Sequence, residues 1–274
     1  MISIAPDYLY SMQKIVSRKK TGRKMAKGIP FTYEEFRKFI RYCKRIAPIT
    51  SFRDYQGSNG ILMRHDVDID IRHAHALSEI EKDLGVCSTY FIMTGNPLYN
   101  PLSSGNRKLL NDMNDNGFEI GLHFDPMIYD DIDHEKLREK VRFECCLLEN
   151  IINTQVRAIS IHNPSVSNTI PVISGYLNAY SPEFFHGSYY ISDSQKNFRN
   201  KDPYKFVEAA KSHVVQILLH PAHWGLTERS YLGICEEVLN GYCHRMEDIM
   251  AVNETFRKTI GDDSLIDCYK RTCK

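Results

Sequence analysis

Ile61-Leu62-Met63-Arg64-His65-Asp66-Val67-Asp68 runs three apolar residues straight into a set of ionisable ones. A strand buried in a parallel sheet is apolar along its length and delivers polar groups at its C-terminal end, where α/β proteins keep their sites. Side chains alternate along an extended chain, so Asp66 and Asp68 point the same way. One carboxylate of such a pair can hold a metal while the other stays free to take a proton from a water. The plainer alternative is a strand followed by a helix cap, with Asp68 or Asp70 opening a helix that carries His73, Ala76, Leu77 and Ile80.

Downstream the same unit recurs: a short apolar run, a polar end, then a helical stretch. Residues 70 to 84 read as a helix closed by Gly85, Cys87 to Met93 as a strand, Asn106 to Asn116 as a helix stopped by Gly117, and Phe118 to Leu122 as the next strand. Asp133 caps a long helix from Glu135 to Ile152 with Leu137, Val141, Cys145 and Leu148 at core spacing, and Val156 to Ile161 follows as a strand. The irregular stretch from about 165 to 205 leaves room for short strands near Asn178 to Tyr180 and Tyr189 to Ile191. Val214 to Leu219 is the clearest strand of all. Upstream, Thr32, Glu34 and Glu35 open an amphipathic helix with Phe36, Phe39, Ile40 and Cys43 on one face, and Arg229 to about Ile260 reads as a helical tail.

Four of the five clear strands end on histidine or aspartate: Asp66 and Asp68, His123 and Asp125, His162, then His220 and His223, while the run from Cys87 to Met93 does not. A single histidine at a strand end is ordinarily a hydrogen-bonded structural residue. Four such endings in a parallel arrangement share one rim, so residues far apart in sequence converge. Neutral imidazoles with a carboxylate are zinc-type ligands, and a position left open for water makes such a site catalytic.

The composition is that of a globular protein: 274 residues, 42% hydrophobic, 25% charged, with a net charge of +1 that offers no field for gathering nucleic acid. Lys14, Arg18, Lys19, Lys20, Arg23, Lys24 and Lys27 make the N-terminal arm basic, as a solvated face or as a peripheral contact with anionic lipid or phosphate. Eight cysteines without a C-x-x-C pair suggest free thiols in a reducing compartment. With neither a signal-peptide pattern nor a membrane-spanning apolar run, a cytoplasmic protein is expected.

With these residues in place, the chain resembles the polysaccharide deacetylase superfamily, the NodB-homology or carbohydrate esterase family 4 group, in the bacterial branch whose first motif reads R-H-D-V-D in place of T-F-D-D. The match runs from Ile61 to Trp224 through R-H-D-V-D (64–68), S-T-Y-F (88–91), E-I-G-L-H-F-D (119–125), S-I-H-N-P-S (160–165), N-A-Y-S-P (178–182), Y-I-S-D-S (190–194) and L-L-H-P-A-H-W (218–224). The resemblance implies a single-domain α/β fold, an incomplete or irregular (β/α) barrel over residues 59–226. A basic arm and helix over 1–58 would pack on it, and a helical extension over 227–274 would follow. It also implies a divalent metal, zinc first with nickel, cobalt or manganese as substitutes, and removal of an N-acetyl group from a sugar or glycan in surface-polysaccharide biosynthesis.

Carried over by position, Asp66 takes the place of the catalytic base and Asp68 that of the metal carboxylate. His123 matches the first histidine of the family's H-x-x-x-H motif, but the second position holds Met127, whose thioether is a poor ligand for a hard zinc site. His162, in H-N-P where the family carries Arg-x-Pro, is the third ligand expected instead. His220 falls where the family protonates the leaving amine, and Arg64 either keeps Asp66 ionised or forms a salt bridge under the rim. Asp125, Tyr180, Asp193, His223 and Trp224 are expected to meet substrate, with Trp224, Tyr180 and Tyr190 as flat surfaces for sugar rings. Two alternatives stand beside this one: an inactive carbohydrate- or protein-binding module that lost its metal with Met127, and a metal hydrolase of another amide or a phosphoester.

Overall fold

In the computed structural model, which describes residues 28–129, 133–164 and 173–272, a two-residue strand β1 (Ile49–Thr50) leads into β2 (Gly60–Val67), buried at every position. The basic arm from Lys14 to Lys27 lies outside the described residues. The strands that follow are β3 (Thr89–Ile92), β4 (Glu119–Phe124), β5 (Ala158–Ile161), β6 (Leu177–Asn178), β7 (Tyr190–Ser192) and β8 (Val214–Leu219). Every pairing is parallel, in the order β6-β5-β4-β3-β2-β8-β7, with β1 beside the first half of β2. All C-terminal ends therefore share one rim.

The sheet curls on itself. Leu62 of β2, Phe91 of β3, Ala158 of β5 and Ala179 beyond β6 meet Phe52 and Phe184 in one inner cluster, and Gln216 of β8 donates to the Ala179 carbonyl at 2.9 Å across the interior. Among the described residues no pairing joins β6 to β7. The result is an incomplete (β/α) barrel, open at one seam, as the resemblance implied. Gly121 of β4 is where the inner wall is tightest. A Cβ there would lie 2.6 Å from the Phe91 ring and 2.9 Å from the Ala158 carbonyl.

The helices are α1 (Tyr33–Ile46), α2 (Ile71–Asp83), α3 (Ser104–Asp115), α4 (His134–Ile152), α5 (Pro203–Val207), α6 (Tyr231–Met250), α7 (Glu254–Ile260) and α8 (Leu265–Thr272). Side-chain oxygens of Thr32, Asp70, Ser103, Asp133 and Ser230 cap five of them, satisfying amides that the helix itself leaves unpaired. Asp70, and not Asp68, is the cap of α2, accepting from Arg72 N at 2.9 Å, so Asp68 is left for other work. The expected single helical tail is broken at Met250, because Asn253 caps a new helix by accepting from Phe256 N. Strand β3 begins at Thr89, later than the apolar run suggested.

Alternation along β2 divides its residues. Leu62 points into the barrel, while Ile61 and Met63 pack outward with Phe36, Phe39 and Ile40 of α1 and Leu77 of α2. His65 faces the same outer layer, where its Nε2 meets Glu81 Oε1 at 2.9 Å. The other Glu81 oxygen accepts from Ser88 Oγ (2.6 Å) and Tyr90 OH (2.9 Å), a fully buried network that fixes α2 to β2 and β3. The seven described cysteines are free thiols, and no helix among the described residues is long and apolar enough to cross a membrane.

Candidate metal and catalytic centre

Because β2, β4, β5 and β8 end at one rim, Asp66, Asp68, His123, His162 and His220 come together there. His123 Nε2 lies 3.2 Å from Asp68 Oδ1, His162 Nδ1 lies 3.5 Å from the same oxygen, and the two ring nitrogens are 3.1 Å apart. Ligands about 2.05 Å from a tetrahedral zinc are separated from one another by about 3.3 Å, so this triangle has the size such an ion requires. Asp68 Oδ1 is shielded from solvent yet receives no hydrogen bond of proper geometry, as expected of an atom whose partner is a cation. Burial pushes the Asp68 carboxyl up, but His123 and His162 outweigh it, with His220 adding its charge, and hold the group well below the ordinary carboxylate range. Oxygen and imidazole donors in this geometry fit a divalent ion of the zinc type.

Asp66 sits beneath this triangle, 2% exposed. Its Oδ2 accepts from Arg64 Nη2 (3.1 Å) and Ser160 Oγ (3.3 Å), while Oδ1, equally shielded, has no partner. Arg64 is fully buried inside the barrel, stacks 4.6 Å over the Tyr180 ring and donates to the Tyr180 hydroxyl at 2.8 Å. The guanidinium thus touches the Asp66 carboxylate from below and does not reach the cavity side.

On the opposite flank, His220 turns Nε2 toward Asp68 Oδ2 (3.6 Å) and Nδ1 toward Asp193 Oδ1 (2.6 Å). Burial works against charge on this ring, but Asp193 outweighs it, with Asp68 and Asp66 adding to the effect, and raises the imidazole to about 9. Asp193 is itself buried, which opposes its ionisation. The neighbouring His223 and His220 prevail and hold it at about 2. The pair is therefore an imidazolium backed by a carboxylate at neutral pH.

Asp66, Asp68, Ser194, His220, His223 and Tyr231 line a cavity of about 70 Å³ at this rim. Several expected substrate contacts are corrected by burial. Trp224 is fully buried between Phe31 (4.8 Å) and Phe36 (5.3 Å), with its Nε1 donating to Asp193 Oδ2, so it offers no face to a sugar. Tyr180, 8% exposed, supports Arg64 from within the barrel, and Asp193 is enclosed by His220, His223 and Trp224. His223 lines the cavity but is 4% exposed and packs edge-on to Phe31. Asp125 caps the turn Pro126–Ile128 through Met127 N at 2.9 Å, and Met127 is exposed. Tyr190 is half-buried, its ring 4.8 Å from Phe185.

Three residues of the site went unassigned in the sequence. Ser160 bonds Asp66 through its hydroxyl and faces His123 Nδ1 through its carbonyl at 3.4 Å; a polar residue between Ile159 and Ile161 on an otherwise apolar strand is a detectable signal. Asn163 stands against the outer nitrogen of His162. Tyr231, on the first turn of α6 and 57% exposed, is the open aromatic of the cavity wall, a position no local pattern announces.

No protein-family model and no curated protein sequence matches this chain. Solved structures it resembles include family 4 carbohydrate esterases and a pseudoenzyme of that family. The chitin deacetylase of Colletotrichum lindemuthianum shares 12% identity over 68% of this chain and 81% of its own, with a TM-score of 0.41. The catalytic domain of a peptidoglycan N-acetylglucosamine deacetylase from Eubacterium rectale shares 12% over 66% and 82%, at 0.38. A family 4 pseudoenzyme from Bacillus anthracis shares 12% over 71% and 62%, at 0.33, so the chain spans less than two thirds of that protein. Likeness of this extent leaves the chemistry to be argued from the residues themselves.

Proposed function

We propose that this protein is a metal-dependent hydrolase that removes an N-acetyl group from a sugar or glycan, with Asp68, His123 and His162 as ligands, Asp66 as base and His220 as acid. One observation carries the proposal: three ligand atoms 3.1 to 3.5 Å apart, flanked by a carboxylate oxygen without a partner and by the His220 ring, whose Nδ1 is held by Asp193. A divalent ion held there would supply Lewis acidity toward the acetyl carbonyl and make a water more acidic. Asp66 Oδ1, with its lone pairs free, accepts the proton of the attacking water, while Arg64 and Ser160 keep the carboxylate from turning. His220 Nε2–H faces the cavity and gives its proton to the departing amine nitrogen; Asp193 on Nδ1 orients the ring and supports its charge. Tyr231 offers its exposed ring to the pyranose, the role once expected of Trp224.

Met127 does not weigh toward an inactive module, because His162 completes the triangle that a histidine at 127 would have completed. Zinc as the metal and a place in surface-polysaccharide biosynthesis rest on the sequence resemblance, as does the division into a barrel over 59–226 with helical additions at either end. Metal content by elemental analysis and acetate release from N-acetylated oligosaccharides and sugar nucleotides test the proposal together. Stoichiometric metal in the wild type, lost in Asp68→Ala, His123→Ala and His162→Ala along with acetate release, is expected. Metal retained in His162→Ala would remove that residue from the ligand set, and release of phosphate but not acetate from candidate substrates would move the enzyme to another class.

A further inference from the structure

We infer that Asn163 is a positioning residue of the metal centre: with its carboxamide turned so that Oδ1 takes the place of Nδ2 against the ring, it accepts from His162 Nε2–H and so selects the ring tautomer that leaves Nδ1 bare to ligate. This rests on the metal-centre reading above. A neutral imidazole carries its proton on one nitrogen only, and the bare nitrogen alone can bind a metal. In metal sites the partner of the outer nitrogen makes that choice. His162 turns Nδ1 inward, toward His123 Nε2 and Asp68 Oδ1, and turns Nε2 outward to the Asn163 carboxamide, whose nitrogen stands 2.8 Å away. A carboxamide makes this contact with either end. With Nδ2 donating, the ring proton lies on Nδ1 and is directed at His123 and Asp68. With Oδ1 accepting, the proton moves to Nε2 and Nδ1 opens to the ion.

His123 shows the same arrangement from the other side, since its outer Nδ1 faces the Ser160 carbonyl, which can only accept. Both ligating rings therefore have an acceptor available behind them. The backbone holds the amide in place: Asn163 has φ of +45°, a left-handed conformation that asparagine and glycine adopt more readily than other residues. Its side chain is exposed, so its removal should cost the fold little.

The test is metal affinity, measured by chelator competition with zinc and by the visible spectrum of the cobalt(II) form, in the full chain. Asn163→Gly keeps the left-handed turn and removes the amide; Asn163→Asp keeps an acceptor and removes the donor. Asn163→Gly is expected to bind zinc about 10- to 100-fold more weakly with its metal-free melting temperature unchanged, and Asn163→Asp to bind at least as tightly as the wild type. Wild-type affinity in Asn163→Gly, or equal weakness in both variants, would overturn the inference alone. A wild type that binds no metal would overturn the metal-centre reading and this inference with it.

Discussion

Asp66 is tied down through one oxygen and idle at the other, and that asymmetry has consequences at single residues. Oδ2 is committed to Arg64 and Ser160; Oδ1 is shielded and has no partner. Asp66→Asn preserves shape but cannot accept the proton, so acetate release should fall about 10²- to 10⁴-fold with metal content intact. A loss below tenfold would show that the base lies elsewhere. Arg64 acts differently, because it is fully buried against that carboxylate. Arg64→Met strands a buried charge and should cost about 3–5 kcal/mol in urea unfolding, the usual penalty for breaking a buried pair from one side. At the far end of β4, Glu119 is also buried, with Oε2 accepting from Thr89 Oγ1 and Arg53 N, and Oε1 without a partner. Burial raises its carboxyl above the ordinary 4.5, more than those bonds lower it. Below that ordinary value both folded and unfolded states keep the proton. As pH rises toward the folded value, only the unfolded state has released it, and stability declines. Urea unfolding from about pH 4 to 7 should therefore show a steeper loss in the wild type than in Glu119→Gln.

Elements place these residues, and they do so with little tolerance. Gly121 lets β4 lie against the Phe91 ring; a methyl group 2.6 Å from ring carbons and 2.9 Å from a carbonyl oxygen forces the strand to shift. Gly121→Ala should destabilise by about 1–3 kcal/mol. Because His123 lies two residues further along the same strand, metal affinity should fall with stability, and metal titration beside thermal melts will show whether the two move together. The loop after β8 is set by a different device. Trp224 packs against Phe31 and Phe36, Tyr33 N donates to Gly225 O at 2.7 Å, and Arg229 holds the carbonyls of Ala222 and Trp224. The segment leading into α1 thus braces the turn that bears His220 and His223. This is also where sequence legibility ended. Alternation tells which way Asp66 and Asp68 point, because they sit on or just past a regular strand. It is silent on Trp224, since the 3₁₀ turn Pro221–His223 resets the direction after β8 ends at Leu219. Tyr180 follows a two-residue strand in an irregular stretch, and its inward course depends on the curl of the whole sheet.

For the molecule as a whole, parallel strands and helices made the barrel legible, and with it the gathering of Asp68, His123, His162 and His220. That the barrel is incomplete was implied by the resemblance, but the place of its open seam, between β6 and β7, was not legible, because both strands are only two or three residues long and their partners depend on closure. An unclosed sheet has fewer hydrogen bonds holding its rim, so a tie among the strand ends should matter to global stability. The proposed ligands come from the ends of β2, β4 and β5, with His220 of β8 beside them. An ion bound there joins three separate strand ends and acts only on the folded state, because the unfolded chain does not assemble the triangle. Mass action then stabilises the fold by about 4 kcal/mol when free metal exceeds the dissociation constant a thousandfold. At about 2–4 °C per kcal/mol for a chain near this size, loading zinc should raise the melting temperature by roughly 8–16 °C, and a chelator should reverse it. Asp68→Ala should melt at one temperature with or without zinc. A wild-type midpoint indifferent to both metal and chelator would mean that the rim is held by protein contacts alone.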